Sequence, residues 1–431
     1  MTQGGKASIS TRRDALRLLA AGAAAGALAR PAVAQSITIT NFNRVQRRTA
    51  HTISGVVADS RDVWPIIDAM SERRLEEAIA RYELIARSGG WPRMPRVRRL
   101  PAYSYGRAVE VLRQRLIREG WLDARYARGK RYDKPVIKAV QRFQRNMGLQ
   151  PSGHVDARTR AALDVTVEER LDTLYANLPR VAALKKGVAA RYIVVNIPAT
   201  LLETVEGGRV YSRHNVIVGM PDRPSPSLIS KVSQLNFNPY WNAPRSIVIR
   251  DIIPKAQKDW RFLKQMGIRI FDGYNGPEVD PARIDWNTID PKRYFFRQDP
   301  GKENAMATVK INFNNRYAVY LHDTPTKNLF RASERYFSSG CVRIEKVHTV
   351  TEWILRDTPG WNAARIAGVV KSGERIDVKV VNPPSVIMAY LTAWVSGDGN
   401  VHFRDDIYRL DGTGFVIGQP KPVGRRVTQP G

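Results

Sequence analysis

Cys341 is the only cysteine in 431 residues, and it stands in Ser338-Ser339-Gly340-Cys341-Val342-Arg343. A lone thiol cannot close a disulfide within its own chain. Glycine and small hydroxyl neighbours suit a thiol presented to a substrate, whereas a cysteine used for packing behaves as a small core residue. The thiolate is the nucleophile, and at an ordinary pKa near ~8.5 only a few per cent is ionised at neutral pH. A histidine within hydrogen-bond reach raises that fraction and can later protonate a leaving amine, a contribution of ~10²- to 10⁴-fold. A tetrahedral oxyanion then needs donors, and the backbone N–H groups of Ser339, Gly340 and Cys341 are candidates, because glycine lets a carbonyl approach closely. The chemistry these residues could do is acyl transfer through a thioester.

Six histidines compete for the role of base: His51, His154, His214, His322, His348 and His402. His51 and His154 fall outside the region that reads as β-rich. His214 is expected in mid-strand, and His348 on the helix that follows the cysteine, from Val347 to Leu355. His402 lies beside Arg404, Asp405 and Asp406 near the C-terminus. His322 is expected at the end of a strand, before the loop Asp323-Thr324-Pro325, which is where a β scaffold presents a catalytic group. Pattern does not show proximity, so the choice stays open on these grounds. A metal site is disfavoured: no two histidines have ligand spacing, and one cysteine is too few. Asp398-Gly399-Asn400 reads as a hairpin turn.

The elements that must position these residues begin at Arg191. Tyr192–Ile197 and Leu201–Val205 read as strands, and Gly207-Gly208 makes a tight hairpin into Val210–Gly219. Thr308–Phe313, Asn314-Asn315 and Tyr317–Leu321 read as a second strand–turn–strand unit. Between them, residues 240–304 are aromatic-rich and too long for a simple loop, so an inserted lid subdomain is expected, with a bracing second core as the alternative. Upstream, residues 63–87 read as a helix stopped at Ser88-Gly89-Gly90, and 92–101 as an extended linker. Val109, Leu112 and Leu116 mark one helix, and Val136, Val140, Phe143 and Met147 a second. Asp156 is placed to cap a third, and Val167–Leu184 reads as a connecting helix. The fold class is therefore α+β: a mostly antiparallel β domain with an inserted lid, a small three-helix module and a helical scaffold.

The expected boundaries are 1–34 for a signal peptide, 35–101 for scaffold and linker, 102–166 for the module and 167–190 for the connecting helix. The catalytic domain follows at 191–382, and C-terminal strands and tail at 383–431. Thr11-Arg12-Arg13, an Ala/Gly-rich apolar run and Ala32-Val33-Ala34 have the pattern of an exported chain, with a twin-arginine route favoured and cleavage expected after Ala34. The apolar run is shorter than the ~20 residues a membrane span needs, and no later stretch is a span. Lys and Arg number 69 against 40 Asp and Glu, a formal charge of +29. Such a surplus attracts polyanions. Export argues for acidic wall polymers over nucleic acid.

Two stretches resemble known families. Ala139-Val140-Gln141-Arg142-Phe143-Gln144-Arg145-Asn146-Met147-Gly148-Leu149, followed by Gly153, Thr159 and Leu163, resembles the three-helix peptidoglycan-binding module of wall enzymes. Tyr320-Leu-His322-Asp-Thr-Pro325-Thr-Lys-Asn-Leu-Phe330, then Phe337-Ser-Ser-Gly-Cys341-Val-Arg343, resembles the signature of the L,D-transpeptidase family with its YkuD-type domain. The order of modules fits that family's larger, lid-bearing periplasmic branch. The resemblance implies Cys341 as nucleophile, His322 as proton acceptor and donor, Gly340 as the glycine beside the nucleophile, and Arg343 as the arginine that fixes the loop or a substrate carboxylate. Ser339 departs from the histidine many members have there, leaving a hydroxyl and an N–H. Asp323 follows His322 where many have glycine, and is not cast as a triad carboxylate. Trp241, Asn242, Arg245 and Tyr320 are the expected substrate contacts.

The implied substrate is the peptide stem of peptidoglycan, as acyl donor and as acceptor in a 3→3 cross-link, without metal or cofactor. Other wall-synthesis proteins are candidate partners, the location is the periplasm or cell wall, and no anchor remains after signal removal. The alternatives are an L,D-carboxypeptidase, a transferase to a protein lysine, and a non-catalytic wall-binding scaffold.

Overall fold

A computed structural model describes residues 55–56, 63–97 and 99–423. The signal segment and its cleavage site, expected at 1–34, lie outside the described residues. A two-residue strand, β1 (Gly55–Val56), is followed by α1 (Ser71–Arg87), which starts eight residues later than the apolar pattern from Val63 suggests. The difference arises at Trp64-Pro65-Ile66-Ile67. Proline disfavours helix in the residue before it, and Ile66 instead gives its N–H to the buried Glu203 carboxylate at 2.8 Å.

Three helices form the module: α2 (Arg107–Arg118), α3 (Lys134–Asn146) and α4 (Ala157–Asp164). Asp133 and Asp156 accept N–H groups at the starts of α3 and α4, so both helices begin at a side-chain cap. The connecting helix α5 (Val167–Leu184) opens with a capping box between Thr166 and Glu169. Arg115 and Glu119, both fully buried, pair at 2.7 Å, and Tyr82 of α1 donates to Glu119 at 2.8 Å. The module and the N-terminal helix therefore share one polar knot inside one apolar core, which also takes in α5 and Trp394 and Phe403 from the C-terminal region.

The β domain contains β2 (Arg191–Asn196), β3 (Leu201–Glu206), β4 (Arg209–Gly219) and β5 (Leu228–Phe237). The inserted segment follows, with β6 (Trp241–Asn242), α6 (Arg245–Ile247), a π-turn over Val248–Ile252, α7 (Ile253–Asp259), α8 (Phe262–Gln265), β7 (Ile268–Asp272), β8 (Glu278–Val279) and β9 (Tyr294–Gln298). The chain returns with β10 (Val309–Phe313), β11 (Leu321–His322), β12 (Tyr336–Ser338), β13 (Val342–Ile344), α9 (Val347–Leu355), α10 (Ala363–Ser372), β14 (Ile376–Lys379) and β15 (Ser385–Ala389). A last hairpin pairs β16 (Ala393–Val395) with β17 (Val401–Phe403).

The main sheet runs β4-β13-β11-β10-β5-β15-β2-β3, and β3 pairs back with β4. Most pairs are antiparallel, whereas β11–β13, β12–β4 and β15–β2 are parallel. Two expectations change. The strand read at Tyr317–Leu321 is only Leu321–His322, because Asn315 bonds the N–H groups of Tyr317 and Val319 and holds a turn there. The apolar run Val386–Val395 is two strands in two sheets, and β15 lies inside the main sheet between β2 and β5. The sheet thus takes residues from both sides of position 382, where the domain was expected to end. The inserted segment builds its own sheet, β6-β9-β7-β8, over a separate core of Trp241, Leu263, Ile270, Trp286 and Phe296.

Candidate active site

Side-chain alternation decides what the sheet presents. Leu321 pairs with Val342 and both are fully buried in the core, so their neighbours face the other way. The register His322↔Arg343 then sets those two side by side, and one step earlier Tyr320 faces Cys341. His322 also pairs with Lys310 of β10, Lys310 with Asn236 of β5, and Asn236 with Asp377 of β14. One polar row therefore crosses five strands, with the thiol beside it and His322 diagonal to Cys341 across the parallel pair.

The loop carrying Cys341 is tightly tied. Gly340 holds φ +111°, a region that glycine adopts without strain. Its carbonyl accepts from Ser225 at 2.8 Å, and Ser225 in turn accepts the Gly219 N–H. The Ser338 hydroxyl donates to the Cys341 carbonyl at 2.5 Å and accepts the Gly340 N–H at 3.1 Å. The expectation of three amides for an oxyanion is corrected here: the Gly340 N–H is already used inside the loop. Ser339 is exposed, and its hydroxyl accepts from Arg223 at 3.0 Å. Arg223 also grips Asp251, on the π-turn of the inserted segment, at 2.5 and 3.0 Å.

Cys341 is half-buried. Burial pushes its thiol pKa up, opposed by hydrogen bonds from the Tyr320 backbone and hydroxyl and by the charges of Lys310 and Arg343. Burial, with Arg343 and Lys310 nearby, pushes His322 down to about 3. Burial thus disfavours the thiolate at Cys341, and burial with the Arg343 and Lys310 charges disfavours the imidazolium at His322. His322 Nδ1 is buried with no hydrogen-bond partner.

The other described histidines are engaged elsewhere. His154 accepts the Ala102 N–H, His214 contacts Glu345 and Ser212, and His402 bonds Ser396 and stacks on Trp394 at 4.8 Å. His348 bonds Thr308, whose hydroxyl donates to Asp323 at 2.7 Å. Asp323 is fully buried and also pairs with Lys327 at 2.6 Å. Its carboxylate braces the loop after His322, while its backbone and charge favour the protonated imidazole against burial.

Arg343 reaches Thr326 at 3.4 Å in the same loop. Trp241 is buried in the core of the inserted segment, and its indole N–H meets the Tyr320 hydroxyl. Asn242 is exposed and lines a groove with Lys310, Tyr240 and Arg297. Arg245 is exposed at the start of α6. Sequence reasoning missed Lys310, Arg223, Ser225 and Asp251. Lys310 had a signal, as the polar member of Val309-Lys310-Ile311 on a strand joined to His322, but only the register fixes its neighbour.

Residues 190–376 match the family model described as "L,D-transpeptidase catalytic domain" (YkuD), and residues 105–163 match a "Putative peptidoglycan binding domain". A "Putative L,D-transpeptidase" of Haemophilus influenzae is 37% identical over 220 residues, covering 51% of this chain and 44% of that protein. The alignment therefore spans less than half the length of that relative. Among solved structures, an L,D-transpeptidase of Stackebrandtia nassauensis is 14% identical, covering 67% of this chain and 96% of that one, with a TM-score of 0.24. One from Mycobacterium smegmatis is 14% identical, covering 47% and 59%, with a TM-score of 0.20. Residues 190–376 are thus similar to YkuD-type L,D-transpeptidase catalytic domains, and residues 105–163 to peptidoglycan-binding domains.

Proposed function

We propose that this protein is a peptidoglycan L,D-transpeptidase that works through a Cys341 thioester. The observation that carries the reading is the shared face of β11 and β13, which sets Tyr320, His322 and Arg343 around the one thiol of the chain. His322 takes the thiol proton as sulfur attacks the carbonyl of the third stem residue. The amides of Ser339 and Cys341 face the oxyanion. Collapse breaks the C–N bond, the imidazolium returns its proton to the departing amine, and D-alanine leaves. An amine of a second stem then attacks the thioester, gives a proton to His322, and releases the thiol with a new amide, a 3→3 cross-link.

The inserted segment serves as a lid. Trp241 touches Tyr320 and Arg223 ties Asp251 to the cysteine loop, so closure limits water, which competes with the amine for the thioester. The module and the cationic surface hold the acidic wall, which places the protein outside the cytoplasmic membrane. Among the described residues no helix is long and apolar enough to cross a membrane.

Purified protein incubated with tetrapeptide muropeptides should give 3→3 dimers and free D-alanine by mass spectrometry, and Cys341→Ala should give neither. Release of D-alanine without any dimer would replace cross-linking by carboxypeptidase action. Full wall function in Cys341→Ala would leave a binding scaffold.

A further inference from the structure

A groove runs between the main sheet and the inserted segment, lined by residues of both. Lys310 lines it, with its ammonium 4.4 Å from the Tyr320 ring centre. Arg297 and Arg375 also line it, 4.7 and 5.8 Å from the Tyr240 ring centre. Three cations therefore face one lining carboxylate, Asp377, and that carboxylate already accepts from Asn236 at 2.7 Å and lies 3.6 Å from Arg375. Arg297 Nε is buried without a hydrogen-bond partner. Cationic donors left over in a groove whose Lys310 also acts on the Cys341 thiol call for an anionic ligand, since charge-assisted pairs are the strong ones.

We propose that this groove is a carboxylate subsite for the stem residue beyond the scissile bond, with Lys310 as the group that meets the carboxylate of the departing residue. The inference rests on the reading of Cys341 as the nucleophile toward stem peptides. Its logic is proximity. With the third carbonyl over Cys341, the nearest anion on a tetrapeptide stem is the terminal carboxylate, one residue of ~3.5 Å away. Lys310 is the cation outside the thiol's own loop whose charge acts most on Cys341, and it lies against the Tyr320 ring. Arg343, two residues from the thiol, reaches Thr326 at 3.4 Å, and burial lowers the His322 pKa to about 3. Burial lowers the Lys310 pKa, while the facing thiol and Asp377 oppose that shift. Arg297 and Arg375 extend the positive groove outward and draw the carboxylate inward.

The test compares a synthetic tetrapeptide stem ending in a free carboxylate with the same stem ending in a primary amide. The wild-type protein should release the terminal residue from the acid with a kcat/KM about ten- to a hundred-fold above that of the amide. Lys310→Met should bring the ratio close to one, Lys310→Arg should keep most of it, and Arg297→Gln should lower it less. A general loss of folding or of thiol reactivity lowers both substrates alike and leaves the ratio unchanged, so the ratio isolates the contact. The same two stems titrated calorimetrically into Cys341→Ala protein give the ratio of dissociation constants without chemistry. If wild type turns over neither stem, the transpeptidase reading fails, and the binding ratio still decides the subsite. Equal binding and equal turnover of acid and amide by wild type, or an unchanged ratio in Lys310→Met, would overturn the proposal.

Discussion

In the proposed mechanism the thiol and the imidazole both start neutral. Burial raises Cys341 and lowers His322 to about 3, so a resting thiolate–imidazolium pair is disfavoured and the proton moves only as sulfur attacks. Alkylation of Cys341 by iodoacetamide should therefore climb about tenfold per pH unit from neutrality to above the ordinary thiol range of ~8.5. A rate plateau beginning below pH 7 would show a thiolate already formed and would contradict this. His322→Ala should cut stem turnover at neutral pH by ~10²- to 10⁴-fold, the usual worth of a general base. Its alkylation at high pH should change far less, since hydroxide then removes the proton.

At the scale of elements, the site is held by three supports: the β11–β13 pair, the 220–227 loop and the inserted segment. Gly219 ends β4 where that loop turns back. A Cβ there would lie 2.3 Å from the Arg223 carbonyl and 2.6 Å from the Ser225 nitrogen, both backbone atoms that cannot rotate away. Gly219→Ala should displace the loop that anchors the Gly340 carbonyl, lowering stability by ~1–3 kcal/mol in urea unfolding and slowing Cys341 acylation. Arg223→Ala acts differently, because it cuts the tie between Ser339 and Asp251 and leaves the strands intact. Its expected signature is faster hydrogen exchange over residues 245–260 and a higher proportion of hydrolysis to cross-linking. Unchanged exchange in that segment would show that Arg223 does not hold it.

At the scale of the whole molecule, helix α1, the module and the catalytic sheet behave as one packed body. The Arg115–Glu119 pair is sealed in that body, with Arg115 also 3.9 Å from the Trp91 ring centre. Glu119→Ala leaves a buried guanidinium unpaired, a loss of ~3–5 kcal/mol that should lower the melting temperature of module and catalytic domain together. A module that melted alone would contradict the shared core. Three buried histidines set the acid limit: His214 at about 4, and His322 and His402 at about 3, each depressed chiefly by burial from 6.5. Below pH 6.5 the unfolded chain binds more protons at these sites than the folded one. Their contribution is therefore complete above 6.5 and is lost as the pH falls toward 3, at up to ~1.4 kcal/mol per pH unit for each. Urea midpoints at pH 7 and pH 5 should differ in that direction, and His402→Gln should shrink the difference.

The sequence by itself determined what depends on local pattern and residue type. The lone thiol beside Gly340, the helices at 107–118, 134–146 and 167–184, and the hairpin at Gly207-Gly208 all follow from periodicity, caps and turns, which act over a few residues. His322 could be picked out by its place at a strand end and by the resemblance of its motif, but not by proximity. Tertiary structure decided what depends on which strands meet. The register that sets Lys310, His322 and Arg343 side by side links positions far apart in the chain, and a slip of one residue would turn all three away. It also decided the protonation of the site, since burial and neighbouring cations exist only once the sheet has formed. The same packing spent the Gly340 N–H inside its own loop and moved β15 into the centre of the sheet. Long-range pairing fixed these outcomes, and no stretch of sequence contains both partners.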